Sequence, residues 1–292
     1  MRSAKRAAAM VSIAAALQLV AAPLAAWAPV ELKRTDKWHL DYDEDTCTLV
    51  GDFDFANGGV ALKFSRSTPD ESFNLVVIGK PVTAIGTQAP FRVRFGAEGL
   101  PRERMGLLGS IGKIPVADLG QNSLWPILAD DKGVDGTRAV TSGNDALITQ
   151  VELSPLRGRT YRLLTGPMDR PMQALRTCFF DLTQHWGYDP QIMSTLQRLP
   201  RPLSLPGTWL RPIDYPVGLL AKGKSGIIEF RLDLNEAGKV VGCHTRLVSQ
   251  SPEFADLTCK LLTTRAQISP ALDAAGKPVR AFYVGMVRWV AG

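Results

Sequence analysis

Only three histidines and four cysteines occur in the 292 residues, and no two cysteines stand as Cys-x-x-Cys. A structural zinc site is usually assembled from closely spaced Cys or His pairs, so the chain is poorly supplied for one. The one near-pair is Cys243 beside His244. His39, His185 and His244 have no acid or nucleophile at a motif spacing, so surface or packing roles are expected, with His185-Trp186 closing the end of a helix. Concentrated basic sequence is missing too. The formal charge of +6 falls to +3 once Arg2, Lys5 and Arg6, which sit in an expected export signal, are set aside. Binding a phosphate backbone needs a clustered basic face, so nucleic acid is not expected as a partner. Beyond residue 28 no apolar run is long enough to cross a bilayer.

What the chain does have begins at its N-terminus. A basic start is followed by an Ala-rich apolar run from Ala7 to Ala25 and then Ala26-Trp27-Ala28. That is the layout of a secretory signal with a small-x-small cleavage site. Residues 1–28 are therefore expected to be removed, leaving a periplasmic protein. The alternative is an uncleaved anchor formed by residues 7–28, which would make this a membrane protein. Export would place Cys47, Cys178, Cys243 and Cys259 in an oxidising compartment, where an even count suggests disulfides. Four cysteines allow three connectivities. If the chain divides near residue 200, pairing within each part gives Cys47–Cys178 and Cys243–Cys259.

The remainder is 45% apolar and 21% charged over the whole chain, enough for one large core or two modest ones. Segments such as Val60-Ala-Leu-Lys-Phe64, Phe73-Asn-Leu-Val-Val-Ile78 and Phe91-Arg-Val-Arg-Phe95 are short and β-branched or alternate with period two. Residues 29–196 are accordingly expected to form a β-rich domain, a sandwich or barrel-like, ending in a helix. Met172, Leu175, Phe179 and Leu182 give that helix its spacing, and Gly187 is its stop. Five prolines between residues 197 and 216 suggest an extended linker. A second, smaller domain is expected over residues 217–292, which makes the overall class α+β.

In that last part Ile228, Phe230, Leu232 and Leu234 alternate with Glu229, Arg231 and Asp233, the pattern of a strand with one apolar and one wet face. Asn235 to Gly238 is a turn, and a second strand follows from Lys239 to Ser249. Ser251-Pro252-Glu253 carries helix N-terminal chemistry, with Phe254, Leu257, Leu261 and Leu262 as the buried stripe. A final strand from Val279 to Val290 completes a β-β-α-β order. This order resembles the TonB C-terminal domain family. The residues that carry the resemblance are Tyr215-Pro216, Gly223 and Gly226, Gly238-Lys239-Val240, Ser249 to Leu257, Ile268-Ser-Pro270-Ala271 and Gly276-Lys-Pro278-Val279. It spans about residues 210–292, and a Cys243–Cys259 bond from second strand to helix fits that fold.

The resemblance implies a non-enzymatic protein-binding module that adds a partner segment as a strand to its sheet edge. Residues assigned to the edge are Arg280, Phe282, Tyr283, Val284, Met286 and Arg288. The implied partner is an outer-membrane receptor segment in a Gram-negative cell envelope, or a second copy of the chain in a dimer. No cofactor, metal or nucleotide is expected. Two departures weigh against energy transduction for transmembrane transport. Ser12 is followed four residues later by Ala16 where the family has a histidine, and the long rod that crosses the periplasm is missing. An atypical anchored energy transducer is the alternative, and a hydrolase in the first domain a more distant one.

Two patterns mislead. Gly218 to Ser225 satisfies the phosphate-loop pattern G-x-x-x-x-G-K-[ST], but a proline-rich stretch precedes it and an alternating strand follows, the reverse of what that chemistry needs. Asp41, Asp43 and Asp45 imitate a calcium loop whose sixth position is Thr46 rather than glycine, so a solvated acidic strand or turn is expected.

Overall fold

In the computed structural model, residues 28–54, 58–82, 86–125, 143–155, 158–247 and 252–291 are described here. The expected signal, Ser249 and Ser251 lie outside them.

The first part is one ten-stranded sheet. Its strands are β1 (Val30–Lys33), β2 (His39–Tyr42), β3 (Cys47–Phe53), β4 (Val60–Arg66), β5 (Phe73–Ile78), β6 (Gln88–Phe95), β7 (Arg102–Ile111), β8 (Ile114–Asn122), β9 (Val151–Pro155) and β10 (Tyr161–Leu164). They lie in the order β1-β10-β9-β6-β7-β8-β5-β4-β3-β2, antiparallel except for β1 beside β10. β1 and β2 occupy opposite margins although only five residues separate them. The sheet therefore has to curl, and the residues after β1 meet β3: Arg34 bridges Phe53, and Thr35 N–H donates to the Asp52 carbonyl at 2.9 Å.

Alternation fills the inside of this curl. Along β4, Val60, Leu62, Phe64 and Arg66 are buried and the residues between them are half-exposed. Phe64 meets Phe73 edge-on with ring centres 5.0 Å apart, and Trp38 meets Phe64 at 5.6 Å. Helix α1 (Asp169–His185) adds Met172, Leu175 and Cys178 to the same core. The Cys47–Cys178 disulfide, with Cα atoms 6.1 Å apart, fastens it to β3. Gly187 ends the helical run at φ +81°, a conformation that costs glycine little. Helix α2 (Pro190–Ser194) follows, capped by the Asp189 carboxylate.

The C-terminal sheet has three strands, β11 (Gly226–Leu234), β12 (Val240–Leu247) and β13 (Ala281–Trp289), in the order β12-β11-β13. Helix α4 (Glu253–Arg265) covers one face, where Ile228, Phe230, Leu232, Tyr283, Val287 and Trp289 gather. The Trp289 indole N–H donates to the buried Thr258 hydroxyl at 3.0 Å. The Cys243–Cys259 disulfide, Cα atoms 5.6 Å apart, ties β12 to α4.

The expected fold class does not hold. Strands make up 42% of the described residues and helices 21%, and the strands are dominated by one curled ten-stranded sheet rather than by a sandwich beside a small β-β-α-β domain. Periodicity specifies strands and their faces but says nothing about which strands pair. The pairings β5–β8 and β6–β9 join what would otherwise be separate sheets. The β7–β8 hairpin, whose glycines broke the sequence pattern, is the bridge between them. The C-terminal part also draws on upstream chain. Arg201–Pro202 pairs with Ile268–Ser269, and the proline-rich stretch buries Trp209 in the C-terminal core.

Candidate protein-binding margin and its junction

β13 is paired in register with β11 along all nine residues, with Phe230 opposite Gly285, and has no strand on its other side among the described residues. A long unpaired margin is a template for an added strand. The assigned residues divide along it. Met286 and Arg288 are exposed, and Val284 is half-buried. Tyr283 points to the opposite face, where burial raises its hydroxyl pKa. Arg280 is exposed and stacks over the Tyr188 ring, 5.1 Å from its centre. Phe282 is buried against Phe179, Trp186 and Tyr188, so the start of β13 is occupied by this chain's own upstream half. What stays accessible is the stretch from Val284 to Arg288.

The junction that covers Phe282 is polar at its rim. Asp233 sits where the β11–β12 register shifts, opposite Gly242, and a Cβ on Gly242 would lie 2.7 Å from its carboxylate. A bulge beside a residue with no side chain lets the carboxylate turn outward. It accepts from the Tyr188 hydroxyl at 2.8 Å, from His244 Nε2 at 2.8 Å and from Arg231 Nε at 3.3 Å. Burial opposes its charge, but the Tyr188 and His244 hydrogen bonds outweigh it and hold the carboxyl below its usual range. Tyr188 is displaced the other way, by burial first and then by the Asp233 charge. Arg231 lies 3.9 Å over the Trp186 ring and 3.3 Å from Asp45. Arg246 pairs with Glu229 at 2.6 Å and reaches Asp43 at 3.6 Å, while Trp186 Nε1 donates to the Glu44 carbonyl at 3.1 Å.

No family model and no curated protein matches the chain. The local geometry therefore has to carry the functional reading.

The acidic segment is exposed at Asp41, Asp43 and Glu44, as expected, and in addition Asp43 and Asp45 pair with the C-terminal sheet and the Glu44 carbonyl accepts from Trp186. His244 does have an acid partner, eleven residues away in sequence but on the neighbouring strand. That bond occupies Nε2, and all four cysteines are in disulfides. His185 Nδ1 lies 2.8 Å from the Asp181 carbonyl at its helix end. The stretch matching the phosphate-loop pattern runs through the short helix α3 (Val217–Leu220) and leads directly into strand β11. Among the described residues no cluster of three or more His, Cys, Asp or Glu side chains is placed to hold a metal, and no helix is long and apolar enough to cross a membrane. Nothing in the local sequence marked Arg231, which alternates with Glu229 and Asp233 as any wet-face residue does.

Proposed function

We propose that this is a non-enzymatic, protein-binding module of TonB C-terminal type, working in the periplasm, that captures an extended segment of a partner along β13. The observation that carries the reading is the free side of β13 between Val284 and Arg288, held rigid by full pairing to β11. Main-chain N–H and C=O groups of that margin would supply affinity, and Met286 and Arg288 would select side chains of the incoming strand. The Cys243–Cys259 and Cys47–Cys178 bonds suit an oxidising compartment, which supports export. An outer-membrane receptor segment is the partner class proposed first.

The test is binding of the purified chain to solubilised outer-membrane proteins on a sensor surface. Met286→Asp should weaken binding at least tenfold, and Val241→Asp, on the opposite margin, should leave it unchanged. Equal binding by both variants would remove β13 from the account. Mass determination of the mature N-terminus separates this reading from an anchored transducer, which would retain Met1.

A further inference from the structure

Five large apolar side chains are exposed between residues 203 and 220: Leu203, Leu205, Ile213, Val217 and Leu220, with Leu205, Ile213 and Val217 at 77, 83 and 80%. Soluble surfaces seldom concentrate apolar side chains in this way without a partner. The backbone that displays them is fixed. Trp209 is buried and its indole N–H donates to the Ser204 hydroxyl at 2.9 Å. Arg265 donates to the Trp209 carbonyl at 3.1 Å and to both Asp214 oxygens at 2.5 and 2.9 Å. The Tyr215 hydroxyl donates to the Lys224 carbonyl, and its ring packs edge-on against Phe254 and Trp289. Pro206 and Pro212 open single helical turns, and Pro216 caps α3.

The charge around this display is one-sided. Arg211, Lys222 and Lys224 are exposed, and the single acid between residues 201 and 226 is Asp214, whose carboxylate is already neutralised by Arg265. Within residues 201–226 the exposed charges are cations and the one carboxylate is already paired, so this segment, with its fixed apolar side chains, complements a bilayer whose headgroups are anionic; the nearest exposed acids, Glu253 and Asp256, belong to α4. We propose that residues 203–224 form a peripheral membrane-contact surface. The apolar side chains would enter the headgroup boundary, and Arg211, Lys222 and Lys224 would pair with lipid phosphates. This surface shares no residue with the β13 margin, so either assignment can fail alone.

Hydrogen exchange with mass spectrometry on the full chain tests it, because the signal is local and does not depend on residues 1–28. With phosphatidylglycerol–phosphatidylcholine vesicles, peptides covering 203–224 should exchange roughly tenfold more slowly. Phosphatidylcholine vesicles alone should give much less protection. Leu205→Ser/Ile213→Ser/Val217→Ser and Lys222→Glu/Lys224→Glu should each abolish the protection without lowering the melting temperature. If the triple variant melts early, the lysine variant decides alone. No protection, equal protection with both vesicle types, or protection without lipid at high protein concentration would each overturn the proposal. The last result would mean that a second copy of the chain covers the surface.

Discussion

Replacing Arg231 by methionine probes whether the junction makes the two sheets one cooperative unit. The Arg231 side chain is 9% exposed, and its guanidinium lies 3.3 Å from both Asp45 and Asp233 and 3.9 Å above Trp186. Methionine keeps most of the stem and can still pack on the indole, so the loss is chiefly ionic. Asp45 is 37% exposed, and a pair with so wet a partner contributes below about 1 kcal/mol. Asp233 is more enclosed, and removing one of its three side-chain partners costs about 1–2 kcal/mol. Losing the cation over Trp186 adds about 0.5–1 kcal/mol. The total, about 1.5–4 kcal/mol, corresponds to a fall of about 3–16 °C in melting temperature for a chain of this size. Far-UV circular dichroism and tryptophan fluorescence should both report it, with coincident midpoints. A shift below about 1 °C, or midpoints that separate in the parent chain, would refute the coupling.

Other consequences can be measured on the same chain. Phe282→Ala should cost about 3–5 kcal/mol in urea unfolding, because the ring fills the contact with Phe179, Trp186 and Tyr188; a cost below 1 kcal/mol would show the start of β13 to be uncovered. Cys243→Ser/Cys259→Ser should lower stability by about 3 kcal/mol in the chain-entropy picture. An unchanged urea midpoint would show that the bond adds nothing to the C-terminal sheet. Asp233 titrates below its ordinary range when folded, so its contribution is present above the free carboxylate pKa and disappears as pH falls through the lower folded value. Asp214, held at about 2 first by Arg265 and then by the Arg211 backbone N–H, should lose its contribution between about pH 4 and pH 2. Asp214→Asn should therefore flatten the acid limb of a stability–pH curve, and a parallel curve would contradict the clamp.

Local structure was legible from sequence where one periodicity dominated. Phe73–Ile78 is a strand over the expected residues, and Met172, Leu175 and Phe179 are buried along α1 as their spacing requires. Phe254, Leu261 and Leu262 are buried on α4, with Thr258 rather than the half-buried Leu257 completing the stripe. Pairing was not legible. β7 and β8 contain three glycines and expose Met105, Ile111 and Ile114, so neither alternation nor apolar density marked them. The junction was hidden for another reason. Glu229, Arg231 and Asp233 alternate as a wet face should, yet Arg231 and much of Asp233 are enclosed by Trp186, Tyr188 and the 43–45 turn. Burial supplied by residues more than forty positions away leaves no trace in a local pattern.

The claim on which the function rests is that another polypeptide lies alongside β13. A photoactivatable phenylalanine analogue placed in turn at Met286 and at Val241, in cells, addresses it directly. The account predicts a covalent adduct with a defined envelope protein from position 286 and none from position 241. Adducts from both positions alike, or from 241 alone, would contradict it.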